Sequence, residues 1–312
     1  MHASQSYPAH AEHPLHADLI ALSSSDGAQI SVSLHGGHIC SWRTADGIER
    51  LFLSPLTKWD APSAIRGGIP VVFPQFAGRG PLPKHGFART SQWTLIASEL
   101  RANGEGFVHM TMSDTAETRS QFPFAFKLDL QANFAGASLS TALLVTNTGE
   151  QSFDFTCALH TYLAAEVPAA GTPVAGSPAA GSPAAVPSQP AILGLSTCRY
   201  ENSIPADPLN FDGNGTLHIT SEVDSIFFQA PATVELATSN MVMQIQQGGF
   251  EDIVVWNPWV AGTEKIGDLM PDAYQHFVCV EAATIEHPVT LAPGVQWRGH
   301  QEFLVKPIAH VD

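Results

Sequence analysis

Apolar and polar residues alternate with period two along most of the chain, and short Gly- and Asp-containing turns cut the alternation at frequent intervals. That pattern predicts short antiparallel strands rather than helices. Asp26-Gly27 precedes the alternation Ile30, Val32, Leu34, and Gly36-Gly37 breaks it before His38-Ile39-Cys40-Ser41-Trp42. Asp46-Gly47 then turns the chain into Leu51-Phe52-Leu53-Ser54. The clearest strand sets Phe124, Phe126, Leu128, Leu130, Ala132 and Phe134 on one face and Lys127, Asp129, Gln131 and Asn133 on the other. One buried face and one polar face is the signature of an antiparallel sheet in a sandwich. Further strands are predicted at Trp93–Ile96, Val108–Met112, Leu139–Thr146, Leu217–Thr220, Ser225–Gln229, Thr233–Leu236, Met241–Gln246 and Ile253–Trp256. No stretch carries a long amphipathic helical period. The expected fold class is all-β, with antiparallel sheets and few short helices.

Three stretches depart from this pattern. Residues 1–17 hold His2, His10, His13 and His16 among prolines and alanines, and read as a flexible His-rich tail. Between strands, residues 168–190 repeat Ala, Gly, Ser and Pro, with Pro168, Pro173, Pro178 and Pro183 recurring at a fixed spacing. Such a composition buries too little apolar surface to offset the entropy of ordering, so a disordered insert is expected there. Residues 307–312 form a C-terminal tail. The expected organisation is one domain over 18–306, interrupted by the insert. Replacing residues 168–190 with a short Gly/Ser turn should leave folding and activity nearly intact, as read by a thermal melt and a turnover assay; an unfolded product would place the insert in the core.

Composition narrows the partners. A net charge of −15 disfavours nucleic acid and anionic membrane surfaces, while a small anionic substrate stays possible if the 14 Lys and Arg residues cluster. No apolar run reaches the ~20 residues of a membrane span. The first residues lack both a charged region and an apolar core, so no signal peptide is expected. Cys40, Cys157, Cys198 and Cys279 are scattered without a CxxC pair, which suits buried thiols in a reducing, cytoplasmic setting.

The cations do cluster. Arg66–Arg89, RGGIPVVFPQFAGRGPLPKHGFAR, holds Arg66, Arg79, Lys84, His85 and Arg89 in a segment punctuated by Gly67-Gly68, Pro70, Pro74, Pro81 and Pro83. Arg suits bidentate capture of an oxyanion; equally, these arginines could pair with carboxylates of an acidic chain. In Ser152–His160, alternation places Asp154, Thr156, Ala158 and His160 on one face. His160 there either faces a ligand over the sheet or is a hydrogen-bonded structural residue. In Phe277-Val278-Cys279-Val280-Glu281, period two sets Glu281 on the face of Phe277 and Cys279. A carboxylate so placed is either desolvated, with the raised pKa of a general base, or points to water at a strand exit.

Taken in order, several motifs resemble the glucose-6-phosphate 1-epimerase (hexose-6-phosphate mutarotase) family, related to the aldose 1-epimerases. They are Gly36-Gly37-His38 with Ser41-Trp42, Arg66–Phe76, His85-Gly86-Phe87-Ala88-Arg89 with Trp93, and Val145–Gly149. They continue with Ala158-Leu159-His160-Thr161-Tyr162, Glu222-Val223-Asp224, Val255–Trp259 and Phe277–Ala282. The resemblance implies a galactose-mutarotase-like β supersandwich that needs neither cofactor nor metal. It implies His160 as general acid and Glu281 as general base in the interconversion of hexose 6-phosphate anomers. Arg66, Arg89 and the residue before His85, Lys84, would contact the sugar phosphate, with His85 also binding substrate. Two positions depart: Lys84 stands where the family usually has Gln, and the family's Tyr-x-Asp reads Tyr200-Glu201-Asn202, so its substrate-binding Asp becomes Asn202, or Glu201 in a shifted register. A monomer is expected. Mutarotation of an unphosphorylated aldose and a non-catalytic sugar-phosphate-binding module remain as alternatives. On the catalytic reading, the polar atoms of His160 and Glu281 should stand a sugar ring apart, ~5–8 Å, each within reach of its own oxygen.

Overall fold

The computed structural model describes residues 19–171, 189–204 and 208–307. The tail expected over 1–17, the C-terminal tail after Pro307 and residues 172–188 of the expected insert lie outside the described residues. The flanks of the insert are held: Val167 N–H donates to the Gln275 carbonyl (2.8 Å) and Ala170 N–H to the Tyr274 hydroxyl (3.1 Å). On the far side Gln189 is buried, and the Pro190 carbonyl accepts from Ile219 N–H (3.0 Å). A loop replacement should therefore be confined to 172–188 rather than taken across 168–190.

The alternation read from sequence becomes three sheets, and every pairing between their strands is antiparallel. A small sheet joins Ile20–Ser23, Gln29–Ser33 and His38–Arg43. A seven-stranded sheet runs in the order Arg199–Asn202, Val223–Phe228, Asp252–Asn257, Phe277–Leu291, Phe153–Leu159 and Val71–Val72, with Tyr162–Ala164 also pairing on Phe277–Leu291. The nine-stranded sheet centres on Met241–Gly248, Gln296–Pro307, Ser138–Asn147, Phe126–Ala135 and Gly106–Ser113. Helices are few and short among the described residues, the α-helical ones being Ala116–Gln121 and Trp259–Thr263.

The core lies between the two large sheets. Leu128, Leu130, Leu143, Val145 and Phe303 from the nine-stranded sheet pack with Leu159, Phe227, Val255, Val280 and Ala282 from the seven-stranded one. The small sheet joins the same cluster through Ile30, Val32, Ile39 and Trp42. Phe126, Leu128, Leu130, Ala132 and Phe134 are all buried, as their alternation predicts. The second face of the seven-stranded sheet is buried too: Val72, Phe76, Ala158, Ile226, Phe228 and Val254 form one apolar cluster and, further along, Phe52, Tyr162, Phe277 and Cys279 another. Burial on both faces explains why Phe277–Ala283 is almost continuously apolar. A single carboxylate, Glu281, interrupts that run.

The segment after Arg66 crosses the rim of this second face. Gly67 and Gly68 have φ of +108° and +60°. A Cβ on Gly67 would lie 2.3 Å from the Phe52 carbonyl oxygen, and one on Gly68 2.2 Å from that of Ile39. Only glycine fits both the conformation and the space. The tight passage lets Val71–Val72 add to the edge of Phe153–Leu159 and delivers Arg66 to one end of the face.

Candidate active site

Glu281 sits on Phe277–Leu291, and His160 lies in the two-residue gap between Phe153–Leu159 and Tyr162–Ala164, both of which pair with Phe277–Leu291. Leu159 pairs with Ala282 and Tyr162 with Cys279, and the same register continued across the intervening gap sets His160 opposite Glu281 and Thr161 opposite Val280. Opposite residues of an antiparallel pair project to the same side. His160 Nε2 lies 3.4 Å from Glu281 Oε1, much closer than the sugar-ring separation expected from the sequence. The expectation failed for a chemical reason: both oxygens of a cyclic hemiacetal are bonded to one carbon, so an acid and a base serving them can be immediate neighbours.

Both side chains are almost fully enclosed, at 8% and 1% exposure. Glu281 is therefore neither at a strand exit nor in water. Burial, with Asp224 as a second negative charge, raises the Glu281 pKa well above its ordinary value, against the opposing pull of Lys84 and Arg89. Burial, then His85, Arg89 and Arg66, holds the His160 pKa well below 6.5. Each group also keeps one enclosed polar atom without a protein hydrogen-bond partner, His160 Nδ1 and Glu281 Oε2. Most buried polar atoms in folded proteins have a hydrogen-bond partner.

The surroundings are aromatic on one side and cationic on the other. Tyr162 stacks on His160, with ring centroids 4.9 Å apart and planes inclined by 13°, while Trp256 meets the imidazole edge-on at 5.8 Å. Arg66 Nη1 donates to the Tyr162 hydroxyl (3.1 Å), and Arg66 Nε donates to Asp268 Oδ1 (3.0 Å). Tyr162, ahead of Asp268, helps keep the Arg66 guanidinium above its ordinary pKa. Three cations without carboxylate partners would be the simplest anion trap, but Arg66 is not one of them. The carboxylate comes from the loop after Trp259–Thr263, where Ser54 Oγ donates to the Asp268 carbonyl (2.6 Å) and helps fix it. Arg89 and Lys84 make no ion pair with a carboxylate among the described residues. Arg89 donates through Nη2 to the Lys84 carbonyl (2.9 Å), and its buried Nε has no acceptor.

His85 closes the circle. Its φ of +67° turns the ring inward, 5.5 Å from His160. Ala77 N–H donates to His85 Nδ1 (3.3 Å), which assigns the ring proton to Nε2. Burial, then Arg89 and Lys84, pushes the His85 pKa down to about 2, so His85 is a neutral donor.

Asn202 is not brought to this cluster. It pairs with Ser225, which pairs with Val255, placing it on the core-facing rows; its amide bonds the Ile204 backbone, and Ser225 Oγ donates to its Oδ1 (3.3 Å). Glu201 instead lies on the row Ile226, Val254, Glu281. Three strand spacings separate it from Glu281, about 14 Å, and it is tied to Arg79 at the rim. The open choice between the two registers thus falls to Glu201 for the face, and neither residue reaches the acid–base pair.

Tyr162, Asp224, Trp256 and Asp268 are the site residues that the sequence reading passed over. Period two from His160 marks Tyr162, and alternation within Val223-Asp224-Ser225 turns Asp224 outward onto Glu281's side of the sheet. Asp224 is itself held above its ordinary pKa, first by burial, with Glu201 adding to the effect and Lys84 opposing it. Nothing local in the sequence marks Asp268, which acts from a loop.

The antiparallel sandwich thus holds a buried His/Glu pair beside a cationic rim. The family model for aldose 1-epimerase matches residues 18–304, and the chain belongs to that family. Relatives carrying the name "Putative glucose-6-phosphate 1-epimerase" include one from Cenchrus ciliaris, 29% identical over 89% of this chain and 82% of the relative. Another, from Escherichia coli strain K12, is 29% identical over 85% of this chain and 86% of its own length. Among solved structures, a "putative mutarotase" from Salmonella typhimurium superposes with a TM-score of 0.78 at 23% identity, covering 93% of this chain and 90% of that one. A galactose mutarotase-like protein from Lactobacillus casei gives 0.64 at 17% identity, over 92% and 100%. These superpositions establish the galactose-mutarotase-like fold that the sequence motifs implied. The four cysteines are free thiols, three of them buried, and none of the described helices is long and apolar enough to cross a membrane.

Proposed function

We propose that the chain interconverts the α and β anomers of a hexose 6-phosphate, with His160 as general acid and Glu281 as general base. The observation that carries this reading is the enclosed His160/Glu281 contact, each partner keeping a buried polar atom unengaged, next to two cations that make no ion pair with a carboxylate among the described residues. In the reactive arrangement Glu281 is ionised and His160 protonated. Glu281 takes the proton of the anomeric hydroxyl while His160 protonates the ring oxygen; the ring C–O bond breaks and a carbonyl forms at C1. Rotation about the C1–C2 bond exposes the other carbonyl face. In closure His160 removes the proton from the chain hydroxyl as its oxygen attacks C1, and Glu281 returns its proton to the new anomeric oxygen. The pair ends with the protons it began with. His85 Nε2–H adds a neutral donor, and Arg89 and Lys84 bind the phosphate, Arg89 through its planar fork and Lys84 as a point charge.

One observation favours mutarotation of an unphosphorylated aldose, the second reading: the Arg66–Asp268 pair, which removes a cation from the anion site. Anomer-exchange NMR on glucose 6-phosphate, free glucose and free galactose separates the two. Faster exchange of the phosphorylated sugar at equal concentration is expected. Equal rates on all three would transfer the assignment to the aldose reading, and no acceleration of any would leave only a binding function.

A further inference from the structure

His160 sits in a break between the strands Phe153–Leu159 and Tyr162–Ala164. Thr161 N–H turns back to the Leu159 carbonyl (2.9 Å), closing a γ-turn centred on His160. In a regular antiparallel ladder, Thr161 and Val280 would exchange two backbone hydrogen bonds. Only one forms, from Val280 N–H to the Thr161 carbonyl (3.1 Å), so the turn leaves the Val280 carbonyl without its ladder donor. A side chain from the other sheet fills that gap. Gln301, on Gln296–Pro307 and 1% exposed, reaches across the core and donates through Nε2 to the Val280 carbonyl (3.0 Å). Its Oε1 accepts from the Thr161 hydroxyl (2.8 Å), and Thr141 Oγ1 donates to its backbone carbonyl (3.0 Å).

One buried amide thus grips the residue after His160 and the residue before Glu281. A polar network placed in an apolar core has to be nearly fully satisfied, and this one is. It adds little burial, and what it fixes is geometry. We propose that Gln301 is a positioning residue for the acid–base pair: by replacing the missing rung, it holds the kinked His160 strand and the Glu281 strand in the one relation that brings the two side chains together.

The inference rests on the catalytic roles proposed above, so its test must separate the two. Gln301→Met keeps the shape and removes both hydrogen bonds; Thr161→Val removes only the hydroxyl. Glucose 6-phosphate exchange is followed by NMR in both variants and in Glu281→Gln, with rates normalised to folded protein. Displacement of reacting groups on the order of 1 Å costs up to ~10²-fold in rate. Gln301→Met is expected to lower kcat by ~10–100-fold with KM within about twofold of wild type, and to shift the His160 imidazole resonances. Thr161→Val should lower kcat by about 3–10-fold with its melting temperature nearly unchanged. A Gln301→Met protein whose kcat matches wild type overturns the inference while the catalytic reading stands, provided Glu281→Gln is inactive. If Gln301→Met does not fold, Thr161→Val decides alone, and an unchanged kcat there overturns it. An active Glu281→Gln would sink the catalytic reading and take the positioning role with it.

Discussion

Glu281→Gln is expected to slow anomer exchange by ~10²–10⁴-fold, with His160→Asn close behind, because each removes one half of a proton transfer that needs both halves. The ligand-free pair carries one proton, and the neutral and ion-paired arrangements differ only in which partner holds it. The raised pKa of Glu281 keeps that proton bound well above pH 4.5, and the lowered pKa of His160 resists a second proton until well below pH 6.5. The acid limb of kcat/KM should therefore lie below 6.5. Stability carries the same signature. A raised folded-state pKa means that the Glu281 contribution is complete below about 4.5 and is lost as pH rises through the folded value. Gln does not titrate, so Glu281→Gln should gain melting temperature over wild type as pH rises from 4.5 to 8. His160 acts with the opposite sign, losing stability as pH falls below 6.5, but it is present in both proteins and largely cancels in the comparison. A difference that shrinks with rising pH would mean that Glu281 is ionised and stabilised in the folded chain.

Arg89→Ala is expected to lower kcat/KM for glucose 6-phosphate by ~10–100-fold, the scale of a lost charged hydrogen bond of ~1.5–3 kcal/mol. Residual exchange of free glucose should change far less. Arg89 is the sharper probe of the two arginines because its buried Nε has no acceptor and it makes no ion pair with a carboxylate among the described residues. Arg66 is different: it is bound to Asp268 and to the tyrosine stacked under His160. Arg66→Ala should therefore impair both sugars, by removing support from the imidazole as well as charge from the pocket. Equal losses on both sugars in Arg89→Ala would detach that residue from the phosphate and return the aldose reading.

Much of the fold was legible because period two is a local signal. The faces of Phe126–Ala135, of His160 and of Glu281 all followed from counting alternate residues. What failed required knowing which strands become neighbours. The 3.4 Å contact depends on a register between distant segments, and Arg66 finds Asp268 on a loop from the other end of the chain. Asn202 shows how sharp the limit is. One step along the strand exchanges faces, and no local rule distinguishes its register from that of Glu201. Gln301 was invisible for a related reason, since a glutamine on a strand reads as surface until the missing rung opposite it is seen.

The pairing that sets His160 against Glu281 also fixes when the chain can first act. Phe153–Leu159 and Phe277–Leu291 come from widely separated parts of the chain, and closing the long loop between them costs entropy before any contact repays it. Neither the central hairpins of the nine-stranded sheet nor the first half of the chain holds both groups. On the roles proposed for them, the two groups thus come together late in folding, only when the middle of the polypeptide has been stitched to Phe277–Leu291 in one sheet.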